Sequence, residues 1–216
     1  MSKKLIFPSR LKSDNGEASP QTLNFSWVNH SKYAGFSRYS PLLVFAGFMM
    51  VERFVFEVHE LTGLYLINLV VNIFIAPVLG KVVAVYGERK ALVFEYVGLV
   101  IVFLSYGGVY FFGWGILIAA MLYVMDHIFF GLALALKTYF QKIADPADIA
   151  SSAGVSFTIN HIAAVFIPVL FGFIWLHSPS LVFLVGAGIA LASLLLALNM
   201  PSKPSAGNEV LLGRFS

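Results

Sequence analysis

DHIFFGLALALKTYFQKIADPADIASSAGVSFTINH, residues 126–161, is the stretch from which the fold is read. Asp126 and His127 open it inside an apolar run. A charged stretch with Asp145-Pro146 follows, and a second apolar run then carries Asn160 and His161. Ionisable groups flanked by hydrocarbon on both sides are costly to place, so they point either to chemistry or to a specific packing role. The alternation of long apolar run, short charged stretch and long apolar run is the pattern of two membrane-crossing helices joined by a loop.

The bulk composition extends this reading to the whole chain. Of 216 residues, 59% are hydrophobic and only 12% are charged, about half the charged share of a soluble domain. The mean hydropathy is +0.84. A water-soluble fold of this length has too little interior to hide so much apolar surface. The sequence pI near 9.1 would point to nucleic acid in a soluble protein. Here the basic residues lie between the apolar runs, where membrane topology explains them and no nucleic-acid partner is expected. The chain has no cysteine, which excludes disulfides and thiolate metal sites.

Outward from 126–161, six spans are expected, at about 39–58, 63–85, 91–110, 114–136, 153–176 and 181–198. Residues 1–38 read as a basic, mostly irregular tail and 201–216 as a polar C-terminal tail. The first span is interrupted by Glu52, Arg53 and Glu57, of which Arg53 and Glu57 have the i, i+4 spacing of a helical pair. Asn68 and Asn72 share a face of the second span, and Pro77 and Pro168 are expected to bend theirs. Gly107-Gly108 and Gly113 read as an uncharged turn. Lys137–Ser152 reads as a loop. The pairs Gly186/Ala190, Gly188/Ala192 and Gly131/Ala135 have the small-xxx-small spacing of close helix contacts. With six spans, thirteen of the fourteen Lys and Arg residues fall on one side, which predicts that both termini are cytoplasmic. Trp114 and Trp175 fall at the opposite ends, as an aromatic belt would place them.

Within this frame, GKVVAVYGERK (Gly80–Lys90) resembles the loop between the second and third helices of each half of major facilitator superfamily permeases. That pattern is Gly, three residues, Asp, then Gly and a basic pair. Gly80, Gly87, Arg89 and Lys90 match it; Ala84 takes the place of the acid, and Glu88 a usually basic position. Residues 137–170 are similar to the tenth and eleventh helices of such permeases. The resemblance covers about residues 40–200 and implies half of a facilitator fold, an all-α membrane domain of two inverted three-helix repeats. It also implies a secondary transporter with its substrate site near the midplane. A complementary six-helix half or a second copy of the chain would complete it, in a bacterial inner (plasma) membrane.

The candidate pathway residues are Asp126, His127, Asn160, His161, Asn68, Asn72, Glu52 and Arg53, and the candidate gating loop is Gly80, Gly87, Arg89 and Lys90. Asp126 and His127 point about 100° apart on a helix, so one is expected to face a cavity and the other to support it. Each polar pair also has a plain reading as interhelical hydrogen bonding. Asp126, His127 and His161 show no metal-ligand spacing, and no metal or cofactor is expected. Three functions compete: a transporter of a small solute, coupled to a proton or ion gradient; a non-transporting assembly partner or truncated permease remnant; and, last, an intramembrane enzyme, which lacks a positioned nucleophile.

Overall fold

The computed structural model describes residues 39–143 and 149–202, and all regular structure among them is helical. The helices are α1 (Tyr39–Phe54), α2 (Val58–Tyr86), α3 (Glu88–Phe112), α4 (Ile116–Gly131), α5 (Leu134–Ile143), α6 (Ile149–His177) and α7 (Pro179–Leu198). Four stretches are long and apolar enough to cross a bilayer: Val58–Tyr86, Glu88–Phe112, Ile116–Tyr139 and Pro179–Leu198. These fit an integral membrane protein. The 16 described residues of α1 extend about 24 Å. α6, at 29 residues, is long enough to cross, and its stretch His161–His177 is apolar.

Backbone chemistry sets the breaks. α1 stops at Phe54 because Val55 adopts a positive φ of 56°, a conformation in which a β-branched Cβ crowds its own backbone. The first span thus ends four residues before the expected Val58. Arg53 and Glu57 consequently lie on different elements and do not pair. Glu57 instead opens α2, its N–H donating to Glu60 Oε2 at 2.9 Å, and its carboxylate lies 3.2 Å from His59 Nδ1. Gly87 alone separates α2 from α3, at φ 83° and ψ 160°, a region open to glycine. Gly113 closes α3 in the left-handed conformation. Ser178 alone separates α6 from α7, whose first turn carries Pro179, where a missing N–H is harmless.

Two expectations are corrected here. Gly107 and Gly108 are not a turn: both lie buried inside α3, which runs on to Phe112. Leu184 approaches to 3.5 Å of where a Cβ on Gly107 would sit, and Trp114 to 3.2 Å of one on Gly108. In an apolar bundle a glycine pair lets neighbours come close without breaking the helix. The expected loop 137–152 is also shorter. After a turn at Leu132-Ala133, α5 carries helix to Ile143, and α6 begins at Ile149. Gly131 and Ala135 therefore flank a turn rather than share one helix face.

The core is the contact of α3 with α7, backed by α1. Leu99, Phe103 and Tyr106 of α3 meet Phe183, Ala187 and Ala190 of α7, with Leu42, Ala46, Met49 and Met50 of α1 closing the group. The Gly186/Ala190 face of α7 is buried, and a Cβ at Gly186 would lie 2.8 Å from Leu42. The Gly188/Ala192 face is exposed, so only one of the two small-residue faces packs. α2 and α6 are peripheral. α2 buries only Leu64, Asn68 and Val83 among its 29 residues, leaving Leu66, Leu69, Ile73 and Phe74 exposed. Soluble monomers rarely expose such faces; hydrocarbon accommodates them.

Candidate functional site

The site grows from α4. Glu88 with Lys142, and Gly98 with Phe129, fix the antiparallel register of α3 against α4 and α5. That register places Asp126 near the middle of the pair. Asp126 is 1% exposed, and neither carboxylate oxygen has a hydrogen-bond partner. The hydroxyl of Tyr106 on α3, also buried and without a hydrogen-bond partner, lies near it, as does Tyr123 on α4, whose hydroxyl faces that of Tyr65. Buried polar groups are normally satisfied, because an orphaned one loses its hydration with no return. A cluster of them in one interior therefore asks for an explanation.

His127 points the other way, as the 100° step predicts. It lines a small cleft between α2 and α4 with Asn68 and Asn72, beside Leu79 and Ile75. The cleft volume is about 10 Å³, at the lower limit for one water molecule. Asn68 is 5% exposed, and both ends of its amide lack partners. His127 Nδ1 lies 2.9 Å from the Tyr123 carbonyl oxygen. A carbonyl only accepts, so Nδ1 carries the proton and donates, leaving Nε2 of the neutral ring as an acceptor. Tyr65 of α2 stands edge-on to both Tyr123 (5.9 Å) and His127 (6.4 Å). Tyr123 thus stands between the buried Asp126 and Tyr106 at the α3–α4 contact and the Asn68–Asn72–His127 cleft between α2 and α4.

The remaining candidates lie elsewhere. His161 is exposed on α6, its Nδ1 donating to the Phe157 carbonyl at 2.9 Å. α6 packs against α1 and α7, so His161 is not brought to Asp126. The side chain of Asn160 lies outside the described residues. Glu52 accepts a 2.6 Å hydrogen bond from Trp175 Nε1. Arg53 stacks its guanidinium 4.9 Å from the Tyr110 ring centroid, a cation–π geometry. Both are held in an aromatic group with Phe45 and Phe183, at the end of the bundle where α1, α3 and α6 finish.

The opposite end carries the expected gating residues. Gly80 lies in α2 near its end, and Gly87 makes the turn. Arg89 donates to the Leu198 carbonyl at 2.9 Å, and Lys90 is exposed. Glu88, 5% exposed, pairs with Lys142 at 2.5 Å. The α2–α3 turn is thus tied to the ends of both α5 and α7. The Glu88–Lys142 pair escapes sequence reasoning because Lys142 reads as part of a loop and lies instead in the last turn of α5. Tyr106 and Tyr123 escape it because tyrosine is ordinary in apolar helices; the i, i+3 spacing of Tyr123 and Asp126 was the available signal.

Among the described residues, no group of three or more His, Asp or Glu side chains converges as a metal site would. Comparison with protein-family models, with curated proteins and with solved structures finds no match.

Proposed function

We propose that the chain is a secondary active transporter, or the C-terminal half of one, that moves a small solute by alternating access and couples it to protons. In this reading it is a six-span facilitator half of two inverted repeats, with both termini cytoplasmic, in a bacterial inner membrane. The observation that carries it is Asp126, a carboxyl buried in mid-bundle without a hydrogen-bond partner, beside the buried Tyr106 of the facing helix. Intramembrane acids of this kind mark ion and proton routes. The Asn68–Asn72–His127 cleft, on the other side of α4, adds a polar spot with room for one water. The Gly87–Lys90 clasp onto α5 and α7 serves as the gate.

The test is transport itself. The full chain in proteoliposomes containing a pH-sensitive dye is presented with sugars, amino acids, organic acids and organic amines. Solute-dependent proton movement is expected with the wild-type chain and is lost in Asp126→Asn. Failure of every solute class to move protons or label would favour the second reading, a non-transporting assembly partner or permease remnant. The peripheral α2, with only three buried residues, is the observation behind that alternative, since it leaves a full helix face for another chain.

A further inference from the structure

We propose that the basic end of α3 is a binding site for one anionic phospholipid, with the phosphate held by Arg89 and Lys90 and an acyl chain laid along α3. The inference rests on membrane insertion and not on transport.

A cleft of about 470 Å³ lies between the α2–α3 turn and the end of α7, lined by the polar Tyr86, Arg89, Lys90 and Ser202 and the apolar Phe94 and Val97. Its polar rim is cationic. Arg89 spends one nitrogen on the Leu198 carbonyl, which fixes the guanidinium at the rim while its other N–H groups stay available. Lys90 is exposed beside it. Glu88, the acid next to Arg89 in sequence, is turned to Lys142, and no acid is among the residues that line the cleft. The Tyr86 and Ser202 hydroxyls add neutral donors.

The apolar half continues along the helix. α3 is otherwise the most buried helix of the bundle, with Leu92, Leu99, Val102, Phe103 and Tyr106 inside. Yet Phe94, Val97, Ile101 and Leu104 are 40–61% exposed. Their spacing of three and four puts them on one stripe, directly below Lys90. From Phe94 to Leu104 the stripe runs about 15 Å, half of the ~30 Å hydrocarbon core. A cationic rim at the interface above an apolar stripe one leaflet deep fits a charged headgroup on an acyl chain. A soluble anion would use the rim alone. Basic pockets between helices at a membrane surface hold acidic headgroups in this way.

The full chain, purified and carried in nanodiscs of phosphatidylcholine doped with phosphatidylglycerol, is released into native mass spectrometry and its retained lipids are counted. Wild type is expected to retain one phosphatidylglycerol in preference to phosphatidylcholine. Each basic residue removed should lower that retention about fivefold, so Lys90→Gln loses about fivefold and Arg89→Gln with Lys90→Gln about thirtyfold. Lys81→Gln, a cation outside the cleft lining, leaves it unchanged. Lys90→Gln keeps the Arg89 bond to Leu198 and decides the matter if the double variant fails to fold. Equal retention of the two lipids, or Lys81→Gln acting as strongly as Lys90→Gln, overturns the site. Displacement of the lipid by inorganic phosphate or glycerol phosphate at matching concentration overturns the lipid assignment in favour of a soluble anion.

Discussion

The Glu88 carboxylate meets the Lys142 ammonium at 2.5 Å, joining the first turn of α3 to the last turn of α5. The two partners are unequal: the Glu88 side chain is 6% exposed and that of Lys142 55%. Removing the lysine strands a buried charge, whereas removing the glutamate leaves a lysine free to reach water. Lys142→Met should therefore destabilise more than Glu88→Gln, by about 1–2 kcal/mol once the exposure of the lysine is allowed for. The double variant should recover part of that loss. Thermal unfolding in detergent, followed by tryptophan fluorescence, measures all three; equal losses in the two single variants would contradict the asymmetry.

Val55 is the mirror case, a residue whose backbone opposes its side chain. It holds φ at +56° and is 80% exposed, so its side chain contributes little packing in return. Val55→Gly should stabilise the chain by about 1 kcal/mol, because glycine adopts this conformation without the Cβ clash. A lower melting temperature for Val55→Gly would show that the valine makes a contact that outweighs its strain.

Close approach of α3 and α4 depends on Gly98. A Cβ there would run into the Phe129 ring, which is itself buried. Gly98→Ala is expected to cost about 1–3 kcal/mol through overpacking. Phe129→Leu in the same chain should relieve much of it, although Phe129→Leu alone creates a void. A double-mutant cycle with no coupling between the two positions would mean that the helices separate instead of clashing.

The helices were legible because apolar run length is a one-dimensional property. Counting residues against the bilayer gives spans at 63–85 and 181–198, and the helices are Val58–Tyr86 and Pro179–Leu198, the first of them starting five residues early because the link before it is helical. What misled was punctuation borrowed from water. Gly107-Gly108 reads as a turn where backbone is free to meet solvent, but inside an apolar bundle the same pair is a packing surface. Asp126 and His127 stand out as a candidate site through their improbability in hydrocarbon, and Asn68 and Asn72 through their i, i+4 spacing. His161 looked equivalent and is not, because nothing in one dimension says that α6 packs on α1 and α7 and away from the α2–α4 cleft. Tyr106 was invisible for the same reason: it joins the site only through the register of α3 on α4.

That register leads to the most discriminating expectation. Asp126 has no hydrogen-bond partner, so its carboxyl weakens the fold it sits in, and Asp126→Leu removes a desolvated polar group and fills the space with hydrocarbon. The variant should be more stable than wild type by about 1–3 kcal/mol, while Asp126→Asn, still polar and still without partners, should stay near wild type. Both should lose solute-dependent proton movement. A structural acid behaves in the opposite way: its removal destabilises and its activity loss follows the loss of fold. Melting temperature and transport measured on the same preparations separate the two, and an Asp126→Leu chain that unfolds more easily than wild type would remove Asp126 from the pathway.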